Sequence, residues 1–374
     1  MACSGIRIAG AIVALTAGLH PEVQAAPATP IHALSAHPIA PMSAPRASHS
    51  ATLLADGSVL IAGGCVTDGC DAKTTTTERY DPRRAAFVPS GSMTDRRSSH
   101  AAVRLADGRV LITGGWTHNG VTATAEVYDP ANSRFSPAGA MVAPRSDHAT
   151  VTLPDGRVLL IGGERATQIA LASVEAYDPR DGRFREVGAL TVPRLSHAAK
   201  LLPDGRVLVV GGRSGRGQVL ASAEIFDPAN GRSTPTGSMR APRHKFGATA
   251  LLDGRLIVVG GSDSDASGAR YTSSEIYDPA RGTFVAGPEL GRPRYKLRGG
   301  VVTLASGAVL VAGGAELAEV LDVAAGRARD VPGATTGAHA FSSATLLDDG
   351  RVLLAGGYDA RLRVTRGAWL IGPD

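Results

Sequence analysis

A single frame written seven times constrains this chain more than anything else in it. In its first copy the frame reads Arg46-Ala-Ser-His-Ser-Ala-Thr-Leu-Leu-Ala-Asp-Gly-Ser-Val-Leu-Ile-Ala-Gly63, with Gly64 following. Anchored on its Asp-Gly turn, it returns from Arg97 to Gly114, Arg145 to Gly162, Arg194 to Gly211, Arg243 to Gly260, Lys296 to Gly313 and His339 to Gly356, with no insertion inside any copy. A period of about 50 residues marks a repeat architecture, in which each unit buries its faces only by stacking on its neighbours. That period overrides the two or three domains that 374 residues would otherwise suggest, and predicts one closed array.

Each copy divides into four short strands. The apolar run from Ser50 to Leu54, the turn at Asp56-Gly57 and the run from Val59 to Ala62 make a tight hairpin, strands A and B. After Gly-Gly and a polar connection of variable length comes strand C, ended by proline: Glu78-Arg-Tyr-Asp-Pro82, Glu126-Val-Tyr-Asp-Pro130, Glu175-Ala-Tyr-Asp-Pro179, Glu224-Ile-Phe-Asp-Pro228 and Glu275-Ile-Tyr-Asp-Pro279. A turn then leads to strand D, which carries Phe87, Phe135, Phe184 or Phe284. Four antiparallel strands per repeat and seven repeats predict an all-β, seven-bladed β-propeller. The seventh copy has strands A to C and no D. The stretch Pro38 to Arg46 matches Pro137 to Arg145, the end of an internal repeat, so residues from Leu34 to Met42 are expected to complete the last blade and close the ring.

The first 25 residues carry Arg7, an apolar run from Ile8 to Leu19 and small residues around Ala25, the pattern of a secretory signal peptide cleaved after Ala25. An uncleaved anchor is the second reading of the same stretch. The expected organisation is a signal over 1–25, a linker over 26–33 and the propeller over 34–374, in a secreted or periplasmic protein. In that oxidising setting Cys65 and Cys70 are predicted to pair as a disulfide, and no metal site is expected of them. No later stretch approaches the roughly 20 apolar residues of a membrane span. The net charge of +5 is spread over every repeat rather than blocked, which argues against a nucleic-acid partner.

Asp-Gly-Arg-Val-Leu followed by Gly-Gly, with an aromatic residue on strands C and D, resembles the kelch repeat, in particular the bacterial secreted type of galactose oxidase-like propellers. The sixth copy departs from it, with Glu319-Val-Leu-Asp322-Val where the others have Glu-x-Tyr-Asp-Pro. Propellers of this kind include a copper oxidase, a sialic-acid mutarotase and many binding modules, so the resemblance selects no activity. The oxidase copper site requires two tyrosines, two histidines and a cysteine cross-linked to one of the tyrosines. Cys65 and Cys70 are expected to be bonded to each other, so no cofactor is expected here.

Strand A lines the channel of such a propeller, which puts Arg46, Arg97, Arg145, Arg194, Arg243, Lys296 and His339 in a ring at one mouth. Either the strand-C glutamates neutralise this ring, making it architectural, or its cations are open to an acidic or sugar ligand. Three residues further on, His49, His100, His148 and His197 recur, the behaviour of structural hydrogen-bonding imidazoles rather than metal ligands. Trp116 and His118 follow the second Gly-Gly on the same face and suit contact with a sugar ring. Other breaks in the repeat are 213–218, 262–271, Tyr295 and Arg298. The resulting expectation is a monomeric binding module for a carbohydrate or protein ligand, held at the basic mouth by the seven frame residues with Trp116 and His118. No catalytic residue is singled out. A mutarotase or epimerase is the alternative, ahead of an oxidase.

Overall fold

The computed structural model of the chain describes residues 34–264, 269–333 and 339–373. The expected signal peptide and linker lie outside the described residues. Seven four-stranded antiparallel sheets follow one another, each with strand A innermost. Blade 1 consists of Ser50–Leu53, Val59–Ala62, Thr76–Asp81 and Ala86–Ser92, and the later blades repeat its order. Strand B is buried at every position in every blade, for example Val110–Thr113 and Val207–Val210. A sheet with a neighbour on each face has no solvated side at its centre, so strand B is a continuous apolar run rather than an alternating one. Each such Val, Leu or Ile contributes about 1.5–3 kcal/mol by leaving water. Strand D, at the rim, is largely exposed or half-buried, and its phenylalanine packs on the strand-C tyrosine, with ring centroids 4.9 Å apart for Tyr128 and Phe135.

Gly-Gly is the joint between blades. The second glycine donates its N–H to the carbonyl of the next blade's frame arginine, as in Gly64 to Arg97 at 2.9 Å and Gly212 to Arg243 at 2.9 Å. A Cβ on Gly114, whose φ is 61°, would lie 2.1 Å from the Arg145 carbonyl oxygen. Only glycine fits so close an approach.

The ring closes as the sequence predicts. Leu34–Pro38 pairs antiparallel with Ala368–Pro373, giving the last blade its fourth strand. The segment is shorter than the expected Leu34 to Met42, but Ile39 and Met42 still donate their N–H groups to the carbonyls of Ala368 and Arg366, and Met42 is fully buried. Cys65 and Cys70 form the expected disulfide. No helix among the described residues is long and apolar enough to cross a membrane.

Candidate functional site

The frame arginines are structural. Arg46, Arg97, Arg145, Arg194 and Arg243 have 0% relative exposure, and each is paired with the glutamate of its own strand C. Arg46 is typical: it donates to Glu78 at 3.0 Å and to the carbonyls of Gly63 and Thr76 at 3.0 and 2.9 Å. The same carboxylate accepts the N–H of Ser43, tying the incoming connection to the blade. Burial lowers the pKa of every one of these guanidinium groups, and the partner glutamate opposes the shift. With no surface to offer, they do not form the ligand-binding ring that their sequence positions suggest.

The two outlying frame residues need correction as well. In blade 6 the arginine is Arg294, bonded to Glu319 at 2.6 Å and to the Gly313 carbonyl at 2.7 Å, so Lys296 is not the frame cation. Arg294 and Gly313 are 19 residues apart where the other blades have 17, an insertion of two that counting back from the turn conceals. In blade 7 both partners change together: His339, fully buried, meets Trp369 edge-on at 4.6 Å, and burial lowers its pKa. A neutral aromatic pair thus occupies the place of the ion pair.

The repeated histidines also serve the scaffold. His49 is hydrogen-bonded to Ser343 of blade 7, His100 to Ser50 of blade 1 and His148 to Thr113 of blade 2, each at 2.9 Å. Desolvation pushes His49 down to about 3 and lowers the other three, so all four imidazoles are neutral at physiological pH.

What lines the mouth is a different ring, two residues beyond each frame arginine: Ser48, Ser99, Asp147, Ser196, Lys245, Lys296 and, at the corresponding place in blade 7, Phe341. All seven have left-handed backbone, with φ between 50° and 62°. Around the ring, backbone N–H groups donate to the preceding blade, Ser99 to Ser48, Asp147 to Ser99, Ser196 to Asp147 and Lys245 to Ser196. Leu297 to Lys245, Phe341 to Lys296 and Ser48 to Phe341 complete the circle. Left-handed conformation costs a non-glycine residue roughly 1–3 kcal/mol, which this closed belt of hydrogen bonds offsets.

The mouth is divided by chemistry. Trp116, Phe341 and Tyr358 line a cavity of about 450 Å³ together with Lys73, Lys296 and the disulfide. Trp116 is held by its indole N–H, which donates to Glu164 at 3.2 Å. His118 is exposed at the tip of the small hairpin Trp116–Thr117 and Gly120–Val121, outside the cavity lining. Adjoining the cavity, Lys245, Arg270 and Lys296 surround Tyr295, at 5.6, 5.8 and 5.7 Å from its ring centroid. Between the sectors Arg298, carried inward by the insertion of blade 6, reaches blade 3, bonding Asp147 at 2.7 Å and the His148 carbonyl at 2.5 Å. The channel it spans has a volume of about 380 Å³ and holds Lys200, whose pKa desolvation lowers. The chain has only four lysines, Lys73, Lys200, Lys245 and Lys296, and all four lie at the mouth or in the channel. Arginine, with its planar fork, does the pairing elsewhere.

This architecture defines a seven-bladed β-propeller. The Kelch motif family model matches residues 97–142, 144–191 and 194–240, which are blades 2, 3 and 4. The chain is a kelch-repeat β-propeller. No curated protein matches its sequence. Among solved structures it is similar to a novel fungal alcohol oxidase with catalytic diversity among the AA5 family, in complex with copper. Identity is 17%, over 91% of this chain and 76% of that one, with a TM-score of 0.74, a likeness that shows the fold alone. A copper centre does not fit the residues here: both cysteines of the propeller are bonded to each other, and three of the four channel histidines bond hydroxyl groups. Among the described residues no three His, Cys, Asp or Glu side chains gather as a metal-binding group.

Proposed function

We propose that the protein is a ligand-binding module that takes an acidic carbohydrate at this mouth. The observation that carries the reading is the cavity formed by Trp116, Phe341 and Tyr358 with Lys73 and Lys296 beside it. Aromatic faces suit the C–H face of a sugar ring, and ammonium groups suit its acidic substituent. Among the described residues of its lining the titratable side chains are the two lysines and Tyr358, a set that favours binding over the isomerase alternative. The disulfide accords with an oxidising compartment. Secretion or periplasmic placement through cleavage after Ala25 belongs to the same reading, and N-terminal sequencing of the exported protein checks it.

The test is a calorimetric screen of neutral and acidic sugars against the protein and its Trp116→Ala variant. Binding that falls about tenfold in the variant, about 1.4 kcal/mol, is expected. Undiminished affinity removes the aromatic cavity from the reading, and turnover of a sugar by the intact protein revives the enzyme.

A further inference from the structure

Lys200 departs from the repeat. It lies on strand A of blade 4, opposite Leu208, the second residue of strand B. The residues in that register in the other blades are Thr52, Val103, Val151, Thr249, Val302 and Thr345. All six are β-branched, the type that strands favour, whereas lysine is depleted in strands. Strand formation therefore does not account for an amine at this one place on the innermost strands. Among the described residues Lys200 makes no hydrogen bond or ion pair, and desolvation is the one influence that lowers its pKa. The side chain lines the channel cavity of about 380 Å³, within the roughly 300–1,000 Å³ of small-molecule sites. Ala51, Ala102, Ala149, Ala248 and Ala344 share this lining, and small side chains leave the space beside the amine open. Ser48 and Ser99 of the mouth belong to it too, so the cavity runs from the mouth to Lys200.

A lysine so placed can take a counter-ion or give up its proton and act as a nucleophile. The neighbours decide against the first. The Arg298 guanidinium is bonded to Asp147 and to the His148 carbonyl, and the hydroxyls of Ser50 and Ser343 are bonded to His100 and His49. These donors are already committed and do not join Lys200 around an anion. An imine asks only for one amine, a carbonyl carbon and room. We propose that Lys200 is a covalent attachment site for a small aldehyde, which enters through the channel mouth and is held as an imine. The nitrogen lone pair of the neutral amine adds to the carbonyl carbon, forming the C–N bond as the C=O π bond opens. One proton passes from nitrogen to oxygen, giving a carbinolamine. The hydroxyl then leaves with the second nitrogen proton as water, and C=N remains. Neither oxidant nor reductant is consumed, and water reverses both steps. This site is independent of the binding reading at the mouth.

The experiment treats the full chain with propanal and sodium cyanoborohydride at neutral pH, which reduces an imine to a stable N-propyl lysine, and follows each lysine by peptide mass spectrometry. The chain has only four lysines, so the sites separate cleanly. Lys73 is the internal reference, its ammonium hydrogen-bonded to the Cys70 carbonyl at 3.2 Å. Lys200 is expected to be labelled about tenfold faster than Lys73 in the native protein. The preference is expected to vanish in urea, where the channel no longer exists. A native rate at Lys200 no higher than at Lys73, or a preference that survives unfolding, overturns the attachment site. Acetate ions that shield Lys200 from propanal assign the amine to an anion and overturn it as well.

Discussion

Lys245 shows how one residue can make the mouth sensitive to pH. Its ammonium is half-buried, and desolvation together with repulsion from Lys296 and Arg213 brings it down to about 8, with Asp147 and Glu164 acting the other way. Below that pH it is charged and attracts an anion; above it the charge is lost, so affinity for an acidic ligand falls as pH rises through about 8. Lys296 is lowered in the same sense, by desolvation and then Arg270, while Tyr295 stays protonated throughout. Calorimetry at pH 7 and 9.5 is expected to show about a tenfold loss, about 1.4 kcal/mol, in the wild type. A Lys245→Arg variant, whose charge does not titrate in this range, is expected to keep most of its affinity at pH 9.5. A profile that is the same for both proteins assigns the loss to another group. The sequence conceals this residue because Ser, Asp, Lys and Phe all occupy the left-handed position. Its common property is a backbone conformation imposed by the hydrogen-bonded belt, which leaves no residue type to recognise.

At the level of the element, the unit that repeats is the frame arginine, its strand-C glutamate and the Gly-Gly carbonyl between them. Removing one partner of such a buried pair leaves an uncompensated charge, a loss of about 3–5 kcal/mol, whereas replacing both with apolar groups is far less costly. Arg145→Met is therefore expected to lower the urea-unfolding free energy by that amount, and the double variant Arg145→Met with Glu175→Met to recover most of it. Blade 7 already carries such an exchange, with His339 against Trp369. A double variant no more stable than the single one shows that packing rather than charge sets the cost. The strands, the hairpins and the closing segment were legible because apolar runs and Asp-Gly turns are local signals. The sixth frame was not: its hairpin turns at Ser306-Gly307, and Lys296 stands at the expected distance as a plausible cation. What singles out Arg294 is its reach to Glu319 and Gly313, a three-dimensional property. Neutralisation by the strand-C glutamates was one of the two readings the sequence left open for the ring, and the structure pairs six arginines with them.

Across the whole molecule, blade 7 and blade 1 are held together at three radii. Near the mouth Ser48 donates to the Phe341 carbonyl, and at the Gly-Gly joint Gly357 donates to the Arg46 carbonyl at 2.7 Å. At the rim, Leu34–Pro38 lies along Ala368–Pro373, while Ala36 packs into the core between blades 6 and 7 and donates its N–H to Pro332 at 2.8 Å. The first two contacts tie neighbouring blades as they do everywhere in the ring; the third alone completes a sheet. Deleting residues 34–42 takes away that strand and the buried Met42, exposes the edge of Ala368–Pro373 and leaves the inner contacts in place. Loss of a buried methionine side chain alone costs about 2–5 kcal/mol. The truncated protein is expected to melt well below the intact one, and to associate through its unpaired edge at high concentration. A synthetic peptide spanning residues 34–42, added in excess, is expected to raise the melting temperature and suppress that association by refilling the edge. Unchanged melting after truncation means that the inner contacts alone close the ring. A loss of stability that the peptide does not restore places the contribution of this segment in its covalent connection rather than in the strand it adds.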